Sequence, residues 1–241
     1  MEGERVRTGI TGYDKMMNGG YMPNSVNLVS GCSGTGKTIF AVSFIYQGAV
    51  KYGEKGIYIT LEEDVSQVKQ NCKSVGMDLD AVEPGKIELF DISSLRKMYT
   101  SQEEFERKDS PLDLNTFIDL LKRNAASAQR IAIDSVVPLS LKYANINEFR
   151  AELFRLRVAL KELKTTSLLT TEILMSSKDI SRFGIEDFLA DSVTLLKPTE
   201  DEGNFLRIHK IRGSDHLRDA VRYEITPTGI RVSYDDFKST I

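Results

Sequence analysis

A glycine-rich segment near the start of the sequence has the residues and spacing of a phosphate-binding loop (P-loop). Its eight residues, Gly31-Cys32-Ser33-Gly34-Thr35-Gly36-Lys37-Thr38, fit the pattern G-x-x-x-x-G-K-[ST]. Such glycines let backbone N–H groups and a helix N-terminus surround phosphates, while Lys37 reaches the β- and γ-phosphates and Thr38 ligates Mg²⁺. The segment therefore predicts binding of a nucleoside triphosphate with Mg²⁺, against the alternative of an ordinary glycine-rich turn before a helix.

Hydrolysis of a nucleotide also needs carboxylates for the metal and the attacking water, and two candidates follow apolar runs. Asp134 ends the run Ile131–Ile133, where a Walker B aspartate would lie; capping of the next turn is the alternative. Glu62 and Glu63 follow Gly56–Leu61. On an extended backbone they point to opposite sides, so we expect one to act as base or water-orienting group and the other to support it. Alternatively, both simply favour the dipole of the next helix.

The elements that must position these residues alternate along the chain. Short apolar runs predict strands at 26–30, 56–61, 86–91, 130–134 and 167–171, and amphipathic segments predict helices at 38–51, 65–75, 114–126 and 146–163. This order is typical of βαβ units and a parallel sheet. In the last helix, one apolar face is expected to pack on the sheet; it consists of Phe149, Leu153, Leu156, Leu160 and Leu163. The hydrophilic stretch 96–113 is expected to be a surface excursion.

The C-terminal part changes to short strands separated by turn residues, at 192–196, 205–212, 221–226 and 229–234. This spacing predicts an antiparallel meander that extends the parallel sheet, a combination that requires no second domain. The expected fold class is therefore α/β. We expect one domain over residues 1–241, with helices on both faces of a mostly parallel twisted sheet.

Composition excludes several classes of protein. The 241 residues are 41% hydrophobic and 28% charged, ordinary values for a globular chain, and no run approaches the roughly 18 apolar residues of a membrane span. The start, MEGERVRTGI, carries charges where a signal peptide is apolar, so we expect a cytoplasmic protein. A net charge of −3 gives no reason to expect nucleic acid, and two histidines are too few for a multi-histidine metal site.

Two cysteines, Cys32 and Cys72, do not make a disulfide scaffold. Cys32 lies in the P-loop, where it is either a small residue with backbone contacts or a redox-sensitive thiol. Lys210 and Arg212 are two apart on a predicted strand and so project from the same face. Two cations on one face can clamp a phosphate, although a solvated basic strand is the alternative.

Several segments, in the same order along the chain, resemble the KaiC family of RecA-like ATPases. They are Thr8-Gly9-Ile10 with Gly12, Asp14, Gly19 and Gly20, the P-loop, Leu61-Glu62-Glu63, Asp134-Ser135, Thr171-Glu172, Gly184–Phe188 and Lys210-Ile211-Arg212-Gly213-Ser214-Asp215-His216. The paired glutamates and the last run are more specific than the P-loop. The resemblance covers residues 6 to 234.

The resemblance implies a RecA-like fold, ATP with Mg²⁺, and a homo-oligomeric ring, usually hexameric, with nucleotides between subunits. In such a ring Lys210 and Arg212 reach the nucleotide of the neighbouring subunit, and Ser214 and His216 contact it. Glu172 becomes a candidate γ-phosphate sensor or an ordinary strand-end residue. KaiC carries two such domains in tandem, whereas this length suits one, so a clock role is not implied.

These observations favour a ring ATPase whose state is read by a protein partner. A RecA- or RadA-related DNA-binding ATPase is the alternative, but the segment 176–182 offers two cations and no aromatic residue for stacking bases. A non-hydrolysing scaffold is a third hypothesis, disfavoured by the complete set of catalytic residues. Asp187 and Phe188 occupy positions that hold Ser and Thr in the autokinase half of KaiC, and the nearest hydroxyl is Ser192. We therefore expect hydrolysis without appreciable autophosphorylation.

Overall fold

The computed structural model describes residues 4–91, 114–125, 127–174, 179–199 and 203–235. Nine strands in these residues form one sheet: β1 (Val26–Gly31), β2 (Gly56–Thr60), β3 (Ile87–Asp91), β4 (Arg130–Asp134), β5 (Thr166–Glu172), β6 (Ser192–Thr199), β7 (Gly203–Ile211), β8 (Val221–Thr226) and β9 (Gly229–Val232). The surface excursion expected at 96–113 and part of the segment 176–182 lie outside the described residues.

The order of strands across the sheet is β3-β2-β4-β5-β1-β6-β7-β8-β9. Strands β1 to β6 are parallel where they pair, and β6 to β9 pair antiparallel, which confirms the predicted mixed sheet. β1, β2 and β4 are buried along their whole length, as expected of parallel strands covered on both faces. β8 alternates between buried and exposed residues over its first four positions, because only one of its faces is covered.

Helices cover both faces of the sheet, as predicted. They are α1 (Tyr13–Met16), α2 (Lys37–Tyr52), α3 (Val65–Ser74), α4 (Leu114–Asn124), α5 (Ile146–Glu162) and α6 (Glu186–Leu189), with 3₁₀ segments at Leu79–Ala81 and Val137–Lys142. Ile131 and Ile133 belong to the apolar cluster under α4 and α5, whereas Ala132 belongs to the cluster under α2 and α3. This alternation follows from successive strand side chains pointing to opposite faces.

The predicted apolar face of α5 packs on the sheet. Phe149, Leu153, Leu156 and Leu160 are buried, and Leu163, one residue beyond the helix, packs against the same cluster. Asn145 caps the helix by accepting hydrogen bonds from the N–H groups of Asn147 and Glu148, which satisfies two otherwise free donors. Among the described residues, no helix is long and apolar enough to cross a membrane.

The topology gathers the candidate site at one edge of the sheet. β1 lies between β5 and β6, so the P-loop that follows β1 emerges in the middle of the sheet. Gly31 is in register with Glu172 of β5, and Thr60 of β2 is in register with Asp134 of β4. The carboxyl ends of four parallel strands therefore surround the start of α2, the usual place for a ligand in such folds.

Candidate functional site

The P-loop connects β1 directly to α2, and its glycines have the conformations that the motif requires. Gly34 and Gly36 have φ angles of 79° and 82°, in the left-handed region that favours glycine. At Gly31, a Cβ atom would lie 2.8 Å from the carbonyl oxygen of Leu196, so the neighbouring strand leaves no room for a side chain. These positions make the predicted segment a tight loop over a helix N-terminus and not an open turn.

Contacts behind the loop hold its shape. The Thr35 hydroxyl donates to the carbonyl of Cys32 at 2.8 Å, and the Tyr223 hydroxyl of β8 donates to the carbonyl of Thr35 at 2.6 Å. Burial raises the pKa of Tyr223, so this donor stays protonated. Lys37 donates to the Cys32 carbonyl at 2.9 Å, which folds its ammonium group back over the loop. The Cys32 side chain itself is buried, which favours the structural over the redox interpretation.

A cleft of about 290 Å³ opens above the loop. Its lining brings together most of the predicted site residues: Ser33, Gly34, Gly36, Lys37, Thr38, Glu62, Glu63, Asp134, Ser135 and Glu172. Four carboxylates thus face a phosphate-binding loop across one cavity. Lys37 supplies a cation to this cleft, and the P-loop and the N-terminus of α2 supply backbone N–H donors.

Asp134 is buried at the carboxyl end of β4 and accepts three hydrogen bonds from hydroxyl groups. One Oδ atom accepts from Thr38 at 2.7 Å and from Tyr58 at 2.6 Å, and the other accepts from Thr170. Burial and the negative charge of Asp134 raise the pKa of Tyr58 well above its ordinary range. Three donors around one carboxylate fix its orientation.

Thr38 and Asp134 together offer the donor set that Mg²⁺ prefers. Both are hard oxygen ligands, and the Thr38 hydroxyl already lies beside the carboxylate at the P-loop. Among the described residues no group of three or more His, Cys, Asp or Glu side chains forms a metal site. A metal held by one or two protein oxygens, phosphates and water, as Mg²⁺ is in nucleotide sites, fits this arrangement.

Glu62 and Glu63 lie just beyond β2, where the backbone bends. The expectation assumed an extended backbone at these residues, and this assumption is wrong, because β2 ends at Thr60; both residues line the cleft. The Thr60 hydroxyl accepts from the N–H of Glu63 at 2.9 Å and donates to its carbonyl at 3.0 Å, which closes the bend.

The two glutamates have different surroundings. Glu62 accepts a 2.7 Å hydrogen bond from the hydroxyl of Ser135, the residue that follows Asp134. Glu63 points toward α3, where the Asn71 amide donates to it at 3.4 Å. Partial burial, followed by the charges of Asp134 and Glu62, raises the pKa of Glu63. The pair thus consists of one oriented carboxylate and one with elevated proton affinity.

Lys210 and Arg212 lie near the amino ends of the parallel strands, at the end of the sheet opposite the cleft. Ile211, between them, pairs with Ser192, which in turn pairs with Asn27 near the amino end of β1. The structure therefore does not bring these cations to the cleft of their own chain. Both point the same way, as predicted: Lys210 donates to the carbonyl of Asp187, and Arg212 donates to the carbonyl of Phe188 at 3.0 Å. Burial and the Arg212 charge lower the pKa of Lys210.

Ser214 and His216 continue this remote surface. The Ser214 hydroxyl accepts from Arg5 at 2.9 Å and donates to the carbonyl of Asp215 at 2.8 Å. The Nδ1 atom of His216 is buried and has no hydrogen-bond partner among the described residues. Neither residue lines the cleft that contains Lys37.

Sequence reasoning did not single out Tyr58 and Thr170 as site residues. Both lie on strands that flank β4, and each bonds Asp134 across a strand boundary. In the sequence, each appears only as a hydroxyl residue within a strand. The hydroxyl groups become recognisable as partners of Asp134 once the strand order shows that β2 and β5 flank β4.

Comparisons with known proteins identify the family of this chain. The family model described as "ATPase: KaiC" matches residues 6–236. The chain belongs to the KaiC ATPase family. Among curated KaiC-family relatives, the circadian clock oscillator protein KaiC of Parathermosynechococcus lividus is 35% identical over 94% of this chain and 42% of its own length. The KaiC of Synechococcus elongatus is 33% identical over 95% of this chain and 44% of its own length.

The chain thus spans less than half the length of these KaiC relatives. A solved structure matches it over nearly the whole of both chains. The crystal structure of a KaiC-like protein from the hyperthermophilic archaeon Pyrococcus horikoshii OT3 has a TM-score of 0.81 and 33% identity, covering 95% of this chain and 98% of that one. The KaiC-like, RecA-type fold expected from the sequence is therefore confirmed.

Proposed function

We propose that this protein hydrolyses ATP with Mg²⁺ in the cleft above the P-loop, and that residues 1–241 form one catalytic domain. The observation that carries the proposal is the 2.7 Å contact between Thr38 and Asp134 beside Lys37, with Glu62 and Glu63 in the same cleft. Membership of the KaiC ATPase family supports the choice of ATP.

The cleft residues suit water as the phosphoryl acceptor. The P-loop N–H groups and Lys37 hold the β- and γ-phosphates, and Thr38 with Asp134 would hold Mg²⁺, which neutralises developing charge on the phosphate oxygens. A water oxygen attacks the γ-phosphorus, the bond to the bridging oxygen of ADP breaks, and the water proton passes to a glutamate. Glu62 and Glu63 are the candidates for this base, and Glu172, which lines the same cleft, is a candidate contact of the γ-phosphate.

We further propose that the active unit is a homo-oligomeric ring, hexameric by resemblance to KaiC, with each nucleotide between two subunits. Lys210 and Arg212 lie at the sheet edge opposite their own P-loop, so they are available to a neighbour's nucleotide. Ser214 and His216 would contact the same nucleotide.

A protein partner that reads the nucleotide state of the ring fits this arrangement better than DNA. The segment 176–182 offers two cations, Lys178 and Arg182, beside Asp179, and no aromatic residue on which bases could stack. Salt-dependent binding of single-stranded DNA by the purified protein would instead favour the RecA- or RadA-like alternative.

Two measurements test the proposal. Native mass with and without ATP and Mg²⁺, combined with phosphate release, should show a ring that releases phosphate only when Mg²⁺ is present. Action in trans is tested by mixing Lys37→Ala subunits, which keep Arg212, with Arg212→Ala subunits, which keep the P-loop. Each variant alone should be nearly inactive, and verified mixed rings should recover phosphate release. Failure of recovery would refute the trans assignment, and phosphate release without Mg²⁺ would refute the Thr38–Asp134 metal site.

A further inference from the structure

The short helix α6 holds the two cations that face away from their own cleft. The carbonyl oxygens of Asp187 and Phe188, in the middle of α6, accept hydrogen bonds from Lys210 and Arg212 respectively. Fixing a flexible lysine or arginine side chain costs rotamer entropy. Two carbonyl acceptors on one rigid turn would keep both cations extended toward the same point before a phosphate arrives.

The start of α6 is anchored by a buried carboxylate. Glu186 is 4% exposed, and its Oε1 accepts a 3.0 Å hydrogen bond from the hydroxyl of Thr171. Its Oε2 accepts from the backbone N–H groups of Phe183 and Ile185 at 3.2 and 3.3 Å. Thr171 directly precedes Glu172, which lines the cleft. Glu186 therefore ties the start of α6 to the end of β5, an element of the nucleotide site.

The other end of α6 is anchored by Asp191. This carboxylate accepts from the N–H of Val26 at 2.9 Å, from Arg157 at 2.9 Å and from Lys161 at 2.5 Å. Although burial opposes ionisation, these hydrogen bonds lower the pKa of Asp191. The Asp191 carbonyl also accepts from the N–H of Arg212 at 2.8 Å. Asp191 therefore joins α5 and β1 to the backbone that carries Arg212.

We propose that α6 positions Lys210 and Arg212 for the nucleotide of the neighbouring subunit, with Glu186 and Asp191 as the positioning residues. Neither carboxylate lines the cleft of its own chain. Glu186 acts through α6, whose first turn it fixes while the central carbonyls of the helix hold the cations. Asp191 follows the last turn and also contacts Arg212 directly, through its carbonyl at 2.8 Å and through a 3.6 Å ion pair. The proposal rests on the action of these cations in trans, and its test separates the two ideas.

The test places Glu186→Gln in one or the other partner of a mixed ring. In the first mixture, Lys37→Ala/Glu186→Gln subunits supply the cations to Arg212→Ala subunits. In the second, Lys37→Ala subunits supply the cations to Arg212→Ala/Glu186→Gln subunits. The parent mixture of Lys37→Ala with Arg212→Ala, and the same mixtures with Glu162→Gln, serve as references. Glu162 is an exposed carboxylate at the end of α5, and its ion-pair partner is Lys122 of α4.

A positioning role predicts an asymmetric result. The first mixture should lose recovered kcat by about tenfold to a hundredfold, since a misplacement of about 1 Å can cost that much, while KM for ATP stays unchanged. The second mixture should match the parent, because its altered subunits no longer carry Arg212. Equal loss in both mixtures, or loss in neither, would overturn the positioning role. No recovery in the parent mixture would overturn action in trans and this inference with it.

Thr171→Val provides a second variant in case Glu186→Gln fails to fold. It keeps the shape of the buried residue and removes the hydroxyl that donates to Glu186. Nucleotide binding by Arg212→Ala/Thr171→Val subunits reports folding, and the same asymmetry is expected. If subunits that bind nucleotide show no asymmetry between the two placements, the link from β5 to α6 has no role in positioning the cations.

Discussion

The hydroxyl of Thr38 donates a 2.7 Å hydrogen bond to Asp134, 96 residues further along the chain. The first residue belongs to the P-loop and the second to the end of β4, so this contact joins the P-loop to the carboxylate that we propose as a Mg²⁺ ligand. Tyr58 donates to the same oxygen of Asp134 from β2. The orientation of the carboxylate is therefore set by side chains from the start of α2 and from β2.

We expect Tyr58→Phe to weaken this arrangement without removing it. A hydrogen bond to a charged group contributes roughly 1.5–3 kcal/mol, so the free energy of unfolding should fall by about that amount. The Mg²⁺ concentration for half-maximal hydrolysis should rise, because Asp134 is less firmly held. Denaturant unfolding and Mg²⁺ titration of phosphate release measure the two effects. Tyr46→Phe on α2 is the control, and equal Mg²⁺ dependence in both variants would contradict the assigned role.

Lys37→Ala should reduce ATP affinity by about 100-fold, the equivalent of one strong charge-assisted hydrogen bond. The backbone cradle remains, but the cation directed at the β- and γ-phosphates is lost. Fluorescent nucleotide titration measures the change, with Lys69→Ala, an exposed salt-bridge residue of α3, as control. Unchanged affinity would refute the P-loop assignment.

Replacing both Glu62 and Glu63 by Gln should leave ATP binding largely intact and slow hydrolysis by about 10²–10⁴-fold, the usual contribution of a general base. The amides keep the shape of the cleft and lose the proton acceptor. The single variants identify the base as the residue whose loss accounts for most of the effect. Glu83→Gln, outside the cleft, is the control for single-turnover phosphate release. Undiminished turnover in the double variant would remove both residues from catalysis.

The pH dependence of kcat/KM should depend on Glu63 if this residue is the base. Burial and the charges of Asp134 and Glu62 raise its pKa, so it takes up a proton at a higher pH than an ordinary glutamate. Activity is therefore lost as pH falls through this raised pKa. Glu62→Gln removes one repulsive charge and should move the acid limb to lower pH. An acid limb that stays in place would argue against Glu63 as the base.

We expect no stable autophosphorylation after incubation with ATP and Mg²⁺. Asp187 and Phe188 occupy α6, and the nearest predicted hydroxyl, Ser192, is buried and donates to Asn27 at 2.6 Å. Phosphoryl transfer needs an oxygen in line with the γ-phosphate at near-contact distance, which a buried strand residue does not offer. Intact-mass analysis measures this directly. A stoichiometric gain of one phosphate near Ser192 would show that the acceptor assignment is wrong.

The sequence by itself determined the elements and the P-loop, because these depend on local patterns. Apolar periodicity along the chain separated β1 to β5 from the helices between them, and turn residues marked the C-terminal strands. The P-loop was identifiable because its eight residues are contiguous and match one spacing pattern. Asp134 was recognisable from its place at the end of an apolar run.

Only the tertiary structure decided which distant side chains meet. β6 pairs with both β1 and β7, and this arrangement separates Lys210 and Arg212 from their own P-loop. The backbone bend after Thr60 brings Glu62 and Glu63 to the same cleft, and this bend likewise became visible only in the structure.

Arg130 is another residue whose contacts only the tertiary structure reveals. Its position at the start of a strand predicts nothing unusual, yet its side chain is 1% exposed, donates to the carbonyls of Phe44 and Arg7, and pairs with Glu54. A Cβ on Gly48 would lie 2.5 Å from it. Partners 76 to 123 residues away are brought together by sheet order and helix packing, and hydrogen bonds across such distances leave no periodic trace in the sequence.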